Sequence, residues 1–296
     1  GGVSTCVLNA SPEAAGLFRR AIVQSGPCIV AGEGWGPGSS AYGLELGANL
    51  TKRLGAPTLA DLRRLPPQLL QWNNDTLMDD NFAGYFVDGL VLPTASTPHD
   101  AYASGKTHAA ELIVGATSKD GTAQMYGTAP LANATAAEWR TMMAKRWGAA
   151  AAAVMGQYPL QARFGGDAAA AYIEADADER VVCPSLEMAQ LASAIPGRTA
   201  RHYSFAHLML ACDAGFATGT LPLPRSPALR VSHAGWASHG SDVKYTFGTT
   251  HGPDSLTYYG NTTHLKREEC PFDVSVGEAA LSEAMGHYWT TFAGTG

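Results

Sequence analysis

Glu111-Leu112-Ile113-Val114-Gly115-Ala116-Thr117-Ser118-Lys119-Asp120-Gly121-Thr122 is the stretch on which the fold of this chain turns. It begins with a short apolar run, headed by Glu111 and closed by Gly115. Such a run reads as a strand buried on both faces, as in a parallel sheet. Polar residues and an Asp-Gly pair follow, and these mark a turn. Asp120 therefore stands five residues beyond the strand end at Gly115. In open α/β sheets reactive groups collect at the carboxyl ends of the strands. Asp120 is then either an acid of a catalytic site or an ordinary turn residue ahead of glycine, and spacing alone leaves both open.

Working outward, Ala21-Ile22-Val23-Gln24 is a similar run, closed by Ser25-Gly26-Pro27. Arg201-His202-Tyr203-Ser204-Phe205 alternates and reads as another strand. Helical stretches lie between and around them. Val3 to Leu8 is expected to be a buried helix ended by Ser11-Pro12, because the residue before proline avoids helical angles. Tyr42 to Leu54 carries Leu44, Leu46, Leu50 and Leu54 and stops at Gly55. Thr58 and Asp61 form a capping pattern for a helix ending at Pro66-Pro67. Further helices are expected over 136–158, 168–176, 184–194 (proline in the first turn) and 278–292. Phe86 to Pro93 reads as a turn between apolar arms. No internal repeat and no linker divides the chain. Strands separated by helices predict an α/β fold with one parallel-rich sheet.

Composition sets the outer limits. The 296 residues are 46% hydrophobic and only 16% charged, which suits a packed core and argues against disorder. The formal charge is −6 and no run of Lys or Arg occurs, so a nucleic-acid partner is disfavoured. No apolar run approaches the roughly 18 residues of a membrane-spanning helix. No Cys-x-x-Cys pair offers a zinc site, and neither metal nor cofactor is expected. Sequons occur at Asn9, Asn49, Asn74, Asn133 and Asn261, and with the five cysteines they tilt the expectation towards a secreted or extracellular protein. The chain opens Gly1-Gly2-Val3 without methionine and stops at Gly294-Thr295-Gly296, so we expect a piece cut at both ends.

The remaining chemical candidate is His239, in Ser238-His239-Gly240-Ser241-Asp242-Val243-Lys244-Tyr245-Thr246-Phe247-Gly248. Histidine titrates near neutrality and can take and return a proton during turnover. Gly240 beside it leaves the backbone free to approach other chain closely. A short alternating segment, Val243, Tyr245 and Phe247, follows. An acid preceding a histidine fits the order nucleophile, acid, histidine of α/β-hydrolases.

Several segments, in order along nearly the whole chain, resemble the type-B carboxylesterase and cholinesterase-like family. Gly1-Gly2 with Leu17-Phe18-Arg19-Arg20-Ala21-Ile22-Val23-Gln24-Ser25-Gly26 is similar to the family segment just after the nucleophile elbow. Phe86-Val87-Asp88-Gly89-Leu90-Val91-Leu92-Pro93, Val114-Gly115 to Asp120-Gly121-Thr122, and His239-Gly240 to Phe247-Gly248 resemble three further family segments. Val182-Cys183-Pro184 and 287–292 agree as well. The resemblance implies an α/β-hydrolase fold, incomplete here, with residues 1–296 forming the C-terminal part of one domain. It implies a serine-type carboxylic ester hydrolase acting on a small-molecule or lipid ester. Asp120 would be the triad acid and His239 the general base. The family more often has Glu at this turn. Ser25 falls where the family has a buried serine behind the histidine, or is a plain strand-end turn residue. Gly1 could help line the oxyanion hole. The attacking serine would lie two residues upstream of Gly1, and Ser4 does not match it. Asp242 is expected to cap local backbone. The family also contains non-catalytic adhesion proteins, the alternative reading.

Cys212 and Cys270 bracket the histidine region and are the expected internal pair. Cys183 resembles a family cysteine whose partner lies beyond Gly296. Cys6 is expected to be a buried thiol. Cys28 lies near where cholinesterases begin a short disulfide loop whose second cysteine is missing here. Ala123, Gln124, Met125 and Tyr126 follow the acid where cholinesterases carry aromatics, which argues against a choline-selective site.

Overall fold

Six of the seven residues of Glu111–Thr117 are buried, so the expected central strand forms and runs two residues beyond Gly115. The computed structural model describes residues 1–29, 37–70, 85–93, 96–120, 134–207, 237, 239–248 and 276–296. In chain order the elements are α1 (Gly2–Ala10), β1 (Arg20–Gln24), β2 (Pro37–Ser39), α2 (Ser40–Arg53), α3 (Leu59–Leu62), β3 (Tyr85–Val87), α4 (Pro98–Ala103) and β4 (Glu111–Thr117). They continue with α5 (Ala136–Trp147), α6 (Ala151–Gln157), α7 (Leu160–Phe164), α8 (Ala168–Ala177), a π-helical turn (Asp178–Val182), α9 (Cys183–Ser193), β5 (Thr199–Phe205), α10 (Val243–Thr246) and α11 (Val276–Thr295).

The main sheet has the order β1-β4-β5 and both pairings are parallel. Gln24 faces Gly115, and Thr117 faces Phe205, so the three carboxyl ends lie together. β2 and β3 form a separate parallel pair. Side chains alternate across a strand. On one face Ala21 and Val23 of β1 and Leu112 and Val114 of β4 join Cys6, Val7 and Ala10 of α1, Tyr102 of α4 and Met188 of α9 in the largest buried apolar cluster. The opposite face is covered from the other end of the chain. There the Tyr203 ring meets Trp289 of α11 edge-on at 5.1 Å, and Arg201 lies 5.8 Å over Phe292. Arg20 donates to the carbonyls of Ala293 and Gly294 near the end of α11. Covering both faces is what a parallel sheet requires.

A second cluster is purely helical. Trp139 and Met143 of α5, Leu160 of α7, and Ala168, Ala171, Tyr172 and Ala175 of α8 pack together. α8 is buried on almost every side, which its small alanines permit. Its two buried carboxylates are paired: Glu174 with Lys119 and Arg163, Asp176 with Arg180.

Several expectations are corrected. Cys6 is not a thiol: it forms a disulfide with Cys28, their Cα atoms 5.6 Å apart, because α1 packs on the exit of β1. Cys28 thus has an internal partner after all. Cys183 is free and exposed, and Cys212 and Cys270 lie outside the described residues. The 136–158 stretch is not one helix, because Gly148 turns left-handed at φ 52° and separates α5 from α6. The helix opened by the Thr58–Asp61 capping box ends at Leu62, short of the prolines. The alternating segment after His239 is a one-turn helix, with Tyr245 buried and Phe247 exposed. The sequon at Asn9 is closed: Asn9 is buried, its amide donates to the Tyr102 hydroxyl, and its Oδ1 accepts from the Ala109 N–H at 2.7 Å and the His108 N–H at 3.0 Å. Asn49 is exposed on α2, while Asn74, Asn133 and Asn261 lie outside the described residues. No helix among the described residues is long and apolar enough to cross a membrane.

Candidate active site

The turn after β4 is fixed by main-chain bonds before any side chain acts. Ser118 N–H donates to the Phe205 carbonyl at the end of β5 (2.8 Å), and Lys119 N–H donates to the Ala237 carbonyl (3.0 Å). The Asp120 carboxylate folds back and its Oδ2 accepts from the Thr117 N–H at 2.8 Å. Asp120 is completely buried. Its other oxygen, Oδ1, lies 2.5 Å from Nδ1 of His239. The sequence places these two residues 119 positions apart, and the fold brings them into hydrogen-bond contact.

His239 keeps about a fifth of its side chain exposed, with a side-chain relative exposure of 19%. Burial alone would pull the imidazolium pKa down. The hydrogen bond and charge of Asp120, with the charge of Asp242, outweigh it and leave the pKa raised above 6.5. Gly240 turns the chain at φ 81°, a left-handed conformation that glycine enters without steric cost.

Asp242, three residues after His239, stands at the N-cap position just ahead of α10. The expectation that its side chain caps backbone is not met: its carboxylate makes no cap hydrogen bond. Instead Oδ2 accepts from the Tyr203 hydroxyl (2.9 Å) and from Gln24 Nε2 (3.3 Å). Burial raises the Asp242 pKa, and the charge of Asp120 adds to the rise, opposed by the bonds from Tyr203 and Gln24. Burial also pushes the Tyr203 hydroxyl pKa far up, so this hydroxyl remains a donor. Gly115 is the residue that allows it. A Cβ there would lie 2.2 Å from the Tyr203 ring and 2.2 Å from its carbonyl oxygen.

Ser25 and Gly1 come to the same end of the sheet. Ser25 N–H donates to the Gly115 carbonyl (2.9 Å), and Ser25 is the one non-glycine residue at positive φ (52°) among the described residues. Its Oγ is buried and has no hydrogen-bond partner, so no direct bond joins it to His239. Strained buried residues of this kind gather at functional sites. Gly1 heads α1, whose next residue, Gly2, is wedged against β1: a Cβ on Gly2 would lie 2.2 Å from the Gln24 carbonyl oxygen. Ser4 plays no visible part in the cluster.

Sequence reasoning missed Gln24 and Tyr203. Their partner Asp242 lies 218 and 39 residues away, and only its position three residues after a histidine could have pointed to them. No group of three or more His, Cys, Asp or Glu able to hold a metal ion occurs among the described residues.

A histidine–carboxylate pair at the carboxyl ends of a parallel sheet, with helices over both faces, is the arrangement of an α/β-hydrolase. The chain belongs to the carboxylesterase family, whose model matches residues 1–296. Its parallel sheet and helices agree with the fold that family implies, and the family supports ester hydrolysis in the broad sense. No curated protein matches the chain.

Proposed function

We propose that this chain carries the acid and base of a serine-type carboxylic ester hydrolase. The supporting observation is the 2.5 Å contact between Asp120 and His239 at the sheet's carboxyl end. The nucleophile in this reading is a serine supplied by residues preceding Gly1, at the elbow that the Gly1-Gly2 pair would close. The unpaired edge of β1 among the described residues is where the strand leading to that elbow would pair.

The chemistry follows from the geometry. Nδ1 of His239 is committed to Asp120, which leaves Nε2 as the base. As the serine oxygen attacks the ester carbonyl, its proton passes to Nε2 and Asp120 stabilises the imidazolium. The imidazolium then returns the proton to the departing alcohol, leaving an acyl-enzyme. A water, deprotonated by the same nitrogen, releases the acid. Gly1 lines the oxyanion side, and Ser25 shapes the same end of the sheet without bonding to the histidine. Substrates are small-molecule or lipid esters. The intact Asp120–His239 pair supports this reading over a non-catalytic adhesion protein. The buried Cys6–Cys28 disulfide and the exposed Asn49 sequon support a secreted or extracellular location.

Organophosphate titration tests the proposal. The 296-residue chain is expected to take up no stoichiometric label, while the protein extended by its natural upstream residues takes up one equivalent. Labelling of the short chain, or none of the extended protein, would overturn it.

A further inference from the structure

Lys119 sits immediately before Asp120 but turns the other way. Its main-chain N–H holds the Ala237 carbonyl, close to the histidine. Its ammonium leaves the site and pairs with Glu174 on α8, and the same carboxylate takes Arg163 of α7. Glu174 is the buried centre of the bridge, with a relative side-chain exposure of 12%, against 25% for Lys119 and 48% for Arg163. Burial, then the Arg163 charge, lowers the Lys119 pKa, and Asp178 opposes them. Breaking the Lys119–Glu174 contact would give up a partly desolvated ion pair, which holds the lysine on the α8 side.

We propose that the Arg163–Glu174–Lys119 bridge is a positioning device for Asp120. The three other ties on this turn, from Thr117, Ser118 and Lys119 N–H groups, all stay within the sheet end and the histidine segment. The ion bridge instead anchors the turn to the helical cluster built on Trp139, Met143 and Tyr172. Rotation of the Lys119 peptide would carry Asp120 Oδ1 off His239, and the bridge resists that rotation. Lys119 and Glu174 are thus positioning residues, acting on His239 only through Asp120. The inference rests on Asp120 being the acid partner of His239.

The test is an NMR titration of the ¹⁵N-labelled His239 ring in the whole chain. His239 feels the charges of Asp120 and Asp242, and Asp120 sustains the raised pKa. Through-space electrostatics and positioning predict opposite signs for one variant. Lys119→Met deletes a positive charge, which by Coulomb's law alone would raise the His239 pKa. Loss of positioning lowers it, by about half a unit or more, because the Asp120 bond loosens. Glu174→Gln is expected to lower it too, and Lys119→Arg to restore it. A raised or unchanged pKa in Lys119→Met overturns the bridge. Should Lys119→Met not fold, Arg163→Met carries the same sign test from the far end. Asp120→Asn separates the two levels: if it leaves the His239 pKa in place, the acid–base reading itself fails. If Asp120→Asn lowers the pKa and Lys119→Met does not, only the bridge fails.

Discussion

Two turns meet at the end of this sheet, and each delivers a buried aspartate. The acid turn gives Asp120 a backbone N–H on one oxygen and an imidazole on the other. The histidine turn gives Asp242 a phenol and a side-chain amide on a single oxygen. Burial raises the Asp242 pKa, with the charge of Asp120 adding to it. Residue type is the same, and the donors differ. A carboxylate tied to its own turn and to His239 is positioned to hold a proton carrier. A carboxylate tied to neutral groups from β1 and β5 pins α10 to the sheet and adds its charge from behind.

The sharpest way to break this comparison is Asp120→Asn in the protein extended to include its nucleophile. An amide there favours the wrong imidazole tautomer, and kcat for ester hydrolysis is expected to fall about 10⁴-fold. If Asp242→Asn produced that loss and Asp120→Asn did not, the assignment of the two turns would be reversed. Next in size is Gly115→Ala. The methyl group would collide with the ring and carbonyl oxygen of Tyr203 and separate β5 from its partner on Asp242. Chemical denaturation should register a loss of about 1–3 kcal/mol, as overpacked cores do.

Asp242→Asn should act more gently. Its charge helps raise the His239 pKa, so removing it lowers that value. The base works only when neutral. In the native protein the acid limb of kcat/KM should therefore lie above pH 6.5, and in Asp242→Asn it should move to lower pH. A limb that stays in place would show that the histidine does not feel the second carboxylate.

The smallest effect concerns stability. A folded pKa raised above 3.8 means that the folded chain holds the Asp242 proton more tightly than the unfolded chain does. That contribution is full below pH 3.8 and is lost as pH rises through the folded pKa. His239 behaves likewise: its contribution is present below 6.5 and disappears as pH climbs through its raised value. Urea titrations across pH should show the first slope flattened in Asp242→Asn and the second flattened in His239→Gln.

The central strand was legible because a run such as Leu112-Ile113-Val114 has few other uses, and the Asp-Gly turn after it located Asp120. His239 was legible from the glycine beside it and its place after the acid. Asp242 was not, because its role depends on Gln24 and Tyr203, residues on two other strands. The Cys6–Cys28 bond was hidden for a related reason. Helix α1 and the exit of β1 approach through Gly2 and Gly26, where a Cβ on either would fall 2.2 Å from the other segment's backbone. Local pattern carries no sign of such a contact. The break at Gly148 was a choice between two glycine behaviours that helical periodicity does not separate.

Asn9 carries a last consequence. Its side chain joins Tyr102, His108 and Ala109 inside the largest apolar cluster. If the chain is threaded into a compartment that attaches sugars to nascent polypeptides, the Asn9-Ala10-Ser11 triplet is presented before α1 has docked. A chain tagged there could not close over the amide and would stay with its first helix undocked. In such a compartment, native molecules would be those in which folding outran the transferase at this one position.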